Sequence, residues 1–208
     1  MNSETNLGLG KQRIEALTDA IFAFAMTLLV LDVKIPESAA SQLLTRTLLE
    51  LWPKFLIFLV SFLILGLFWI AHHSYSHFLK RTDRYFLWIS LLFVMVVVFV
   101  PFSTDLLGDY PTHRIAAVIY GCNIMALGLT LYWQWAYATD GHRLVGRALE
   151  PELIRKGKRR ILRGVVVYGC AVLLALVNPV ISFALYVLFP INYLFPSQLD
   201  RHWDHSHG

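Results

Sequence analysis

The sequence predicts an all-α, polytopic membrane protein with six transmembrane helices and a short amphipathic helix between the first two, forming a single domain over residues 1–208. Three observations predict it. Hydrophobic side chains make up 57% of the 208 residues and charged ones only 15%, a balance too apolar for a soluble domain of this length. The apolar residues fall in uncharged runs, Phe55 to Ala71, Tyr85 to Thr104, Ile115 to Thr139 and Gly164 to Leu199, and about 20 residues of helix cross ~30 Å of hydrocarbon. Lys and Arg are divided fourteen to four between alternate loops, the kind of asymmetry that sets orientation. Backbone groups in lipid must bond internally, so the apolar runs are helices.

The first span is predicted over 13–34. Its uncharged core, Ala20 to Leu31, is bracketed by Asp19 and Asp32 and falls short of a full crossing. Extending it to Arg13 brings Asp19 to the hydrocarbon boundary, where an ionisable group costs roughly 2.5–3.5 kcal/mol and must face protein or water. Residues 38–52 have helix-spaced apolar positions and too many polar ones to span, which suits a helix on the membrane surface. The following spans are predicted at 54–77, 84–106 and 113–138. The run from Gly164 to Leu199 would reach ~54 Å as one helix. Asn178-Pro179 in its middle is a turn signal, so it reads as a hairpin of spans 160–177 and 180–196.

Six spans put both termini on one side. That side carries Lys11, Arg13, the loops at 80–84 and 140–163 and Arg201, whereas Lys34, Arg46, Lys54 and Arg114 lie opposite. Both termini are therefore expected in the cytoplasm. The first segment lacks a small-residue cleavage site and is expected to be retained. The net charge of +4 sits in short loops beside apolar runs, which points to anionic lipid headgroups at the 143–163 loop and away from nucleic acid. Cys122 and Cys170 lie inside apolar runs without ligand spacing, so neither a metal nor a disulfide is expected.

On a 3.6-residue helix, Leu17, Ala20, Phe24, Thr27, Leu28 and Leu31 form one stripe, and Asp19, Ala23, Met26 and Val30 lie away from it. On periodicity alone the stripe reads first as helix packing and second as rings that constrict a pathway around a symmetry axis. Arg13 and Asp19 point roughly 120° apart and need partners elsewhere. If the second span returns antiparallel, Trp69, His72 and His73 reach the level of Asp19, where a cluster of Arg13, Thr18, Asp19 and one histidine would offset burial of the charge.

The segment RIEALTDAIFAFAMTLLVLDVKIP resembles the first-helix signature of bacterial relatives of the transmembrane protein 175 family of endosomal and lysosomal potassium channels. The hallmark Arg-x-x-x-Phe-Ser-Asp reads here Arg13, Leu17, Thr18 and Asp19, with changes at Leu17 and Thr18 that keep an apolar residue and a hydroxyl, and FWIAHH resembles the family's second-helix pattern. The resemblance implies a homotetramer in which the first helix lines a potassium-permeable pore without the usual filter. It also implies a hydrophobic constriction at Phe24, with Leu28 and Leu31 further along, a threonine layer at Thr27, and Ala20 in the lining. Phe24 departs from the aliphatic residue expected there. No T-x-G-Y-G loop is present, and no cofactor is implied beyond permeant K+.

Two other readings compete. A membrane metalloenzyme would use His72, His73 and His77 as half of a histidine box, but His113, His142, His202, His205 and His207 form no second box. A secondary transporter would show matched halves, and the echo of VIYGC at 118–122 in VVYGC at 166–170 extends no further.

Overall fold

The computed structural model describes the backbone of residues 3–31, 33 and 48–194. It is built of helices: α1 (Ser3–Leu31), α2 (Trp52–His77), α3 (Arg84–Val98), α4 (Val100–Asp109), α5 (Arg114–Thr139), α6 (Pro151–Val177) and α7 (Pro179–Leu194). Among the described residues, five stretches are long and apolar enough to cross a membrane, namely Gly10–Leu31, Trp52–His77, the α3–α4 run Arg84–Asp109, Arg114–His142 and Pro151–Val177. The last expected span is a shorter apolar helix. α7 has 16 residues, about 24 Å at 1.5 Å per residue. Most of the expected surface helix at 38–52, and the histidine-bearing tail, lie outside the described residues.

α5 is the hub, packing on α3, α4, α6 and α7. Small residues allow the close approach. A Cβ on Gly121 would stand 2.1 Å from the Tyr186 hydroxyl and 2.7 Å from Val172, so glycine is required there. Buried hydroxyls are bonded across helices: Ser61 Oγ to Tyr120 OH at 3.0 Å, Tyr186 OH donating to the Ala117 carbonyl at 3.1 Å, and Ser182 Oγ donating to the Ala171 carbonyl at 2.8 Å. Each such bond relieves the cost of a polar group inside an apolar bundle.

The expected third span is divided into α3 and α4 at Phe99, which keeps helical angles of −79° and −13°. Pro101 supplies no N–H, so one helical bond is missing here. Asn123 of α5 lies against the break and, with its amide turned to the orientation that satisfies both atoms, its oxygen accepts from Val100 N at 3.2 Å and Ser103 Oγ at 3.0 Å while its nitrogen donates to the Val96 carbonyl at 3.3 Å. The hairpin turn falls where Asn178-Pro179 was expected. Asn178 Oδ1 accepts from the backbone N–H of Val180 at 2.9 Å and Ile181 at 3.4 Å, capping α7.

At one end of the bundle the loop after α2 is tied to the loop after α5. Lys80 N–H donates to the Leu144 carbonyl and Arg81 Nε to the Arg143 carbonyl, both at 2.8 Å. Asp83 caps α3 through Phe86 N–H at 2.8 Å and accepts from Tyr137 OH at 2.8 Å, and Arg143 donates to that same hydroxyl at 3.0 Å. At the other end Lys54 of α2 pairs with Asp109 of α4.

Candidate functional site

α1 has three faces. Thr18, Phe22, Ala25 and Leu29 are buried against the bundle, and Phe22 meets Phe93 of α3 with ring centroids 5.8 Å apart. Their spacing of four, three and four residues keeps them on one side of the helix. The stripe of Leu17, Ala20, Phe24, Thr27, Leu28 and Leu31 is centred about 145° round from them. It lies on the protomer's surface: Phe24 is 60% and Leu31 59% exposed, Leu17, Ala20 and Thr27 are exposed, and Leu28 is half-buried. Thr27 turns its hydroxyl to the Phe24 carbonyl of its own helix at 2.7 Å. Asp19, Ala23 and Val30 are exposed on the third face, where Met26 is half-buried.

The polar residues expected to cluster are brought together in part. Trp69 Nε1 donates to Asp19 Oδ1 at 2.9 Å. Trp69 and His73, one helical turn apart on α2, stack with centroids 5.7 Å apart and planes inclined by 24°. His72, about 100° round the helix from His73, points into the bundle, where it is buried and stacks on Phe93 at 5.2 Å. Thr18 donates to the Ile14 carbonyl of its own helix at 2.8 Å. Arg13 is exposed, in keeping with its angular distance from Asp19. The bond that reaches Asp19 thus comes from an indole, whose N–H always donates, whereas an imidazole's donor depends on its tautomer.

Among the described residues no group of three or more His, Cys, Asp or Glu could hold a metal ion. His72 and His73 diverge too sharply for a shared ligand set. Cys122 and Cys170 are free and exposed. Sequence reasoning missed the role of Asn123 at the Phe99 break and the Asp83–Tyr137–Arg143 chain between loops. The signal for the first was an amide inside an apolar span of a chain that also carries Pro101 in another.

Fold and site together define a multi-pass α-helical membrane protein of the channel class, and the proteins it resembles are channels, not enzymes. The fold matches the crystal structure of a lysosomal potassium-selective channel TMEM175 homolog from Chamaesiphon minutus with a TM-score of 0.78 and 30% identity, covering 89% of this chain and 96% of that one. The chain is 32% identical over 187 residues to a potassium channel of Streptomyces collinus (88% of this chain, 91% of the relative) and 39% identical over 140 residues to a potassium channel of Chamaesiphon minutus (65% and 69%). The family model described as endosomal/lysosomal potassium channel TMEM175 matches residues 13–101. The chain belongs to the TMEM175 family.

Proposed function

We propose that this chain is the subunit of a potassium-permeable channel in a bacterial plasma membrane, assembled as a homotetramer around an axis lined by α1. One observation carries the reading. α1 bears the family's first-helix motif and an ionisable group, yet it is the least buried of the five long apolar stretches, with 22% of its apolar window inside the protomer. Leaving that helix to lipid would set Asp19 against acyl chains at a cost of roughly 2.5–3.5 kcal/mol per copy, whereas gathering four copies turns the same faces toward protein and water.

In this arrangement Phe24, Leu28 and Leu31 form apolar rings that ions pass only when the constriction is hydrated. Thr27 adds a hydroxyl layer, Ala20 the wider vestibule, and the Trp69–Asp19 bond fixes α1 against α2. The Tyr-Gly pairs at 120 and 168 lie inside α5 and α6, and Gly121 is committed to helix packing, so selectivity rests on the α1 rings instead of a carbonyl filter. The Lys/Arg asymmetry supports cytoplasmic termini.

Purified protein in liposomes with imposed K+ and Na+ gradients tests the proposal. Potassium flux is expected from the wild type, with Phe24→Ala raising it severalfold and Thr27→Ala changing the K+ to Na+ ratio. Flux indifferent to both substitutions overturns the pore assignment. Turnover compatible with alternating access alone favours a transporter.

A further inference from the structure

α6 carries a surface that the pore does not use. Its buried residues, Gly157, Ile161, Val165, Tyr168, Ala171 and Ala175, face α5 and α7, its main neighbours. On the opposite side, positions 156, 159, 163, 166, 170, 173 and 177 follow one another at alternating steps of three and four, a single outward stripe of one helix. All seven are exposed. The stripe changes character at one point: Lys156, Arg159 and Arg163 on one side of it, Val166, Cys170, Leu173 and Val177 on the other.

From this continuity we infer that Arg159 and Arg163, with Arg155 and Lys156 beside them, form a binding site for anionic phospholipid headgroups of the leaflet at the α6 N-terminus. Three features fit that partner. The uncharged part of α6, Gly164–Val177, is about 21 Å long, some 9 Å less than the hydrocarbon thickness. Arg163 is therefore held at the edge of the acyl layer. Side chains on a helix lean toward its N-terminus, and here that direction leads out of the hydrocarbon, so the guanidinium groups of Arg159 and Arg163 reach for the phosphate level while their stems stay against lipid. The local acid is already committed. Glu152 pairs with Arg155 and with Lys156 at 3.4 Å each, while no Asp or Glu lies three or four positions from Arg159 or Arg163. A guanidinium presents a planar fork that matches a phosphate.

The test counts bound lipid by native mass spectrometry on the full-length protein, titrated with phosphatidylglycerol or phosphatidylcholine of the same acyl chains. The wild type is expected to hold phosphatidylglycerol on the order of tenfold more tightly, with Arg159→Gln/Arg163→Gln abolishing the preference and Arg159→Lys/Arg163→Lys keeping most of it. Raising the ionic strength from about 0.05 to about 0.5 M weakens the wild-type preference if charge recognises the headgroup, a readout that stands even where the glutamine variant folds poorly. Competition by inorganic phosphate at millimolar concentration would show a free-anion site and overturn the lipid assignment. Equal retention of the two lipids by the wild type, or a preference untouched by salt or by the glutamine substitutions, overturns it as well.

Discussion

α1 and α5 both cross the bundle as long apolar helices, yet they stand in opposite relations to it. α5 buries 56% of its apolar window and α1 22%. α5 is surrounded: Tyr120, Ile124, Leu127 and Trp135 pack inward and Gly121 admits Tyr186 at close range. α1 leans on the same bundle along a single line of residues, Thr18, Phe22, Ala25 and Leu29, and leaves two faces open. Hydrophobicity does not separate the two helices. What separates them is where the polar atoms sit, because Tyr120, Asn123 and Tyr137 of α5 bond to other elements inside the protomer, while α1 carries a carboxylate on an exposed face, tied to the protomer through Trp69. The core of this chain is complete without α1's outer faces, which are available to the assembly.

Substitutions on the two helices should therefore divide between stability and flux. Gly121→Leu is expected to have the largest effect, about 3 kcal/mol or complete loss of the folded protein, since Tyr186 and Val172 must move to admit the side chain; thermal unfolding in detergent measures it. Asn123→Leu should cost about 2 kcal/mol in the same assay by leaving the buried Val100 N–H at the Phe99 break without its acceptor. Trp69→Phe removes the donor to Asp19 and should lower the unfolding free energy by about 1 kcal/mol, with a larger relative effect on flux because α1 loses its tie to α2. At the far end of the scale, Phe24→Ala should leave unfolding of the monomer within about 0.5 kcal/mol of wild type, as expected for an exposed side chain, and yet change potassium flux severalfold. A large stability loss from Phe24→Ala, without a change in flux, would erase the distinction between the two helices.

Much of this division was legible in the residues. Composition and uncharged run lengths lead to an all-helical membrane fold, and Asn178-Pro179 marks the hairpin because an asparagine followed by proline caps and starts a helix in one step. The bracketing of Ala20 to Leu31 by two aspartates singles out α1 as a helix unsuited to lipid. The break at Phe99 was not legible: Pro101 lies in an unbroken apolar run, and the compensating amide of Asn123 is more than 20 positions away, brought near by packing alone. The partner of Asp19 was legible only as a group, since Trp69, His72 and His73 share a helix end and which of them reaches the carboxylate depends on helix rotation. The last expected span, 180–196, corresponds to α7, Pro179–Leu194 among the described residues, a shorter apolar helix than the five long stretches.

The central claim is that the Phe24 side of α1 faces water on a symmetry axis, whereas the Val177 side of α6 faces lipid. It is tested most directly with single cysteines at Thr27 or Val177 in a Cys122→Ala/Cys170→Ala background, by adding a membrane-impermeant, thiol-reactive cation during potassium flux. Rapid block through Thr27→Cys with no effect at Val177→Cys is the result expected. Flux unchanged at Thr27→Cys, or blocked equally at both positions, would contradict the placement of α1 around a conduit.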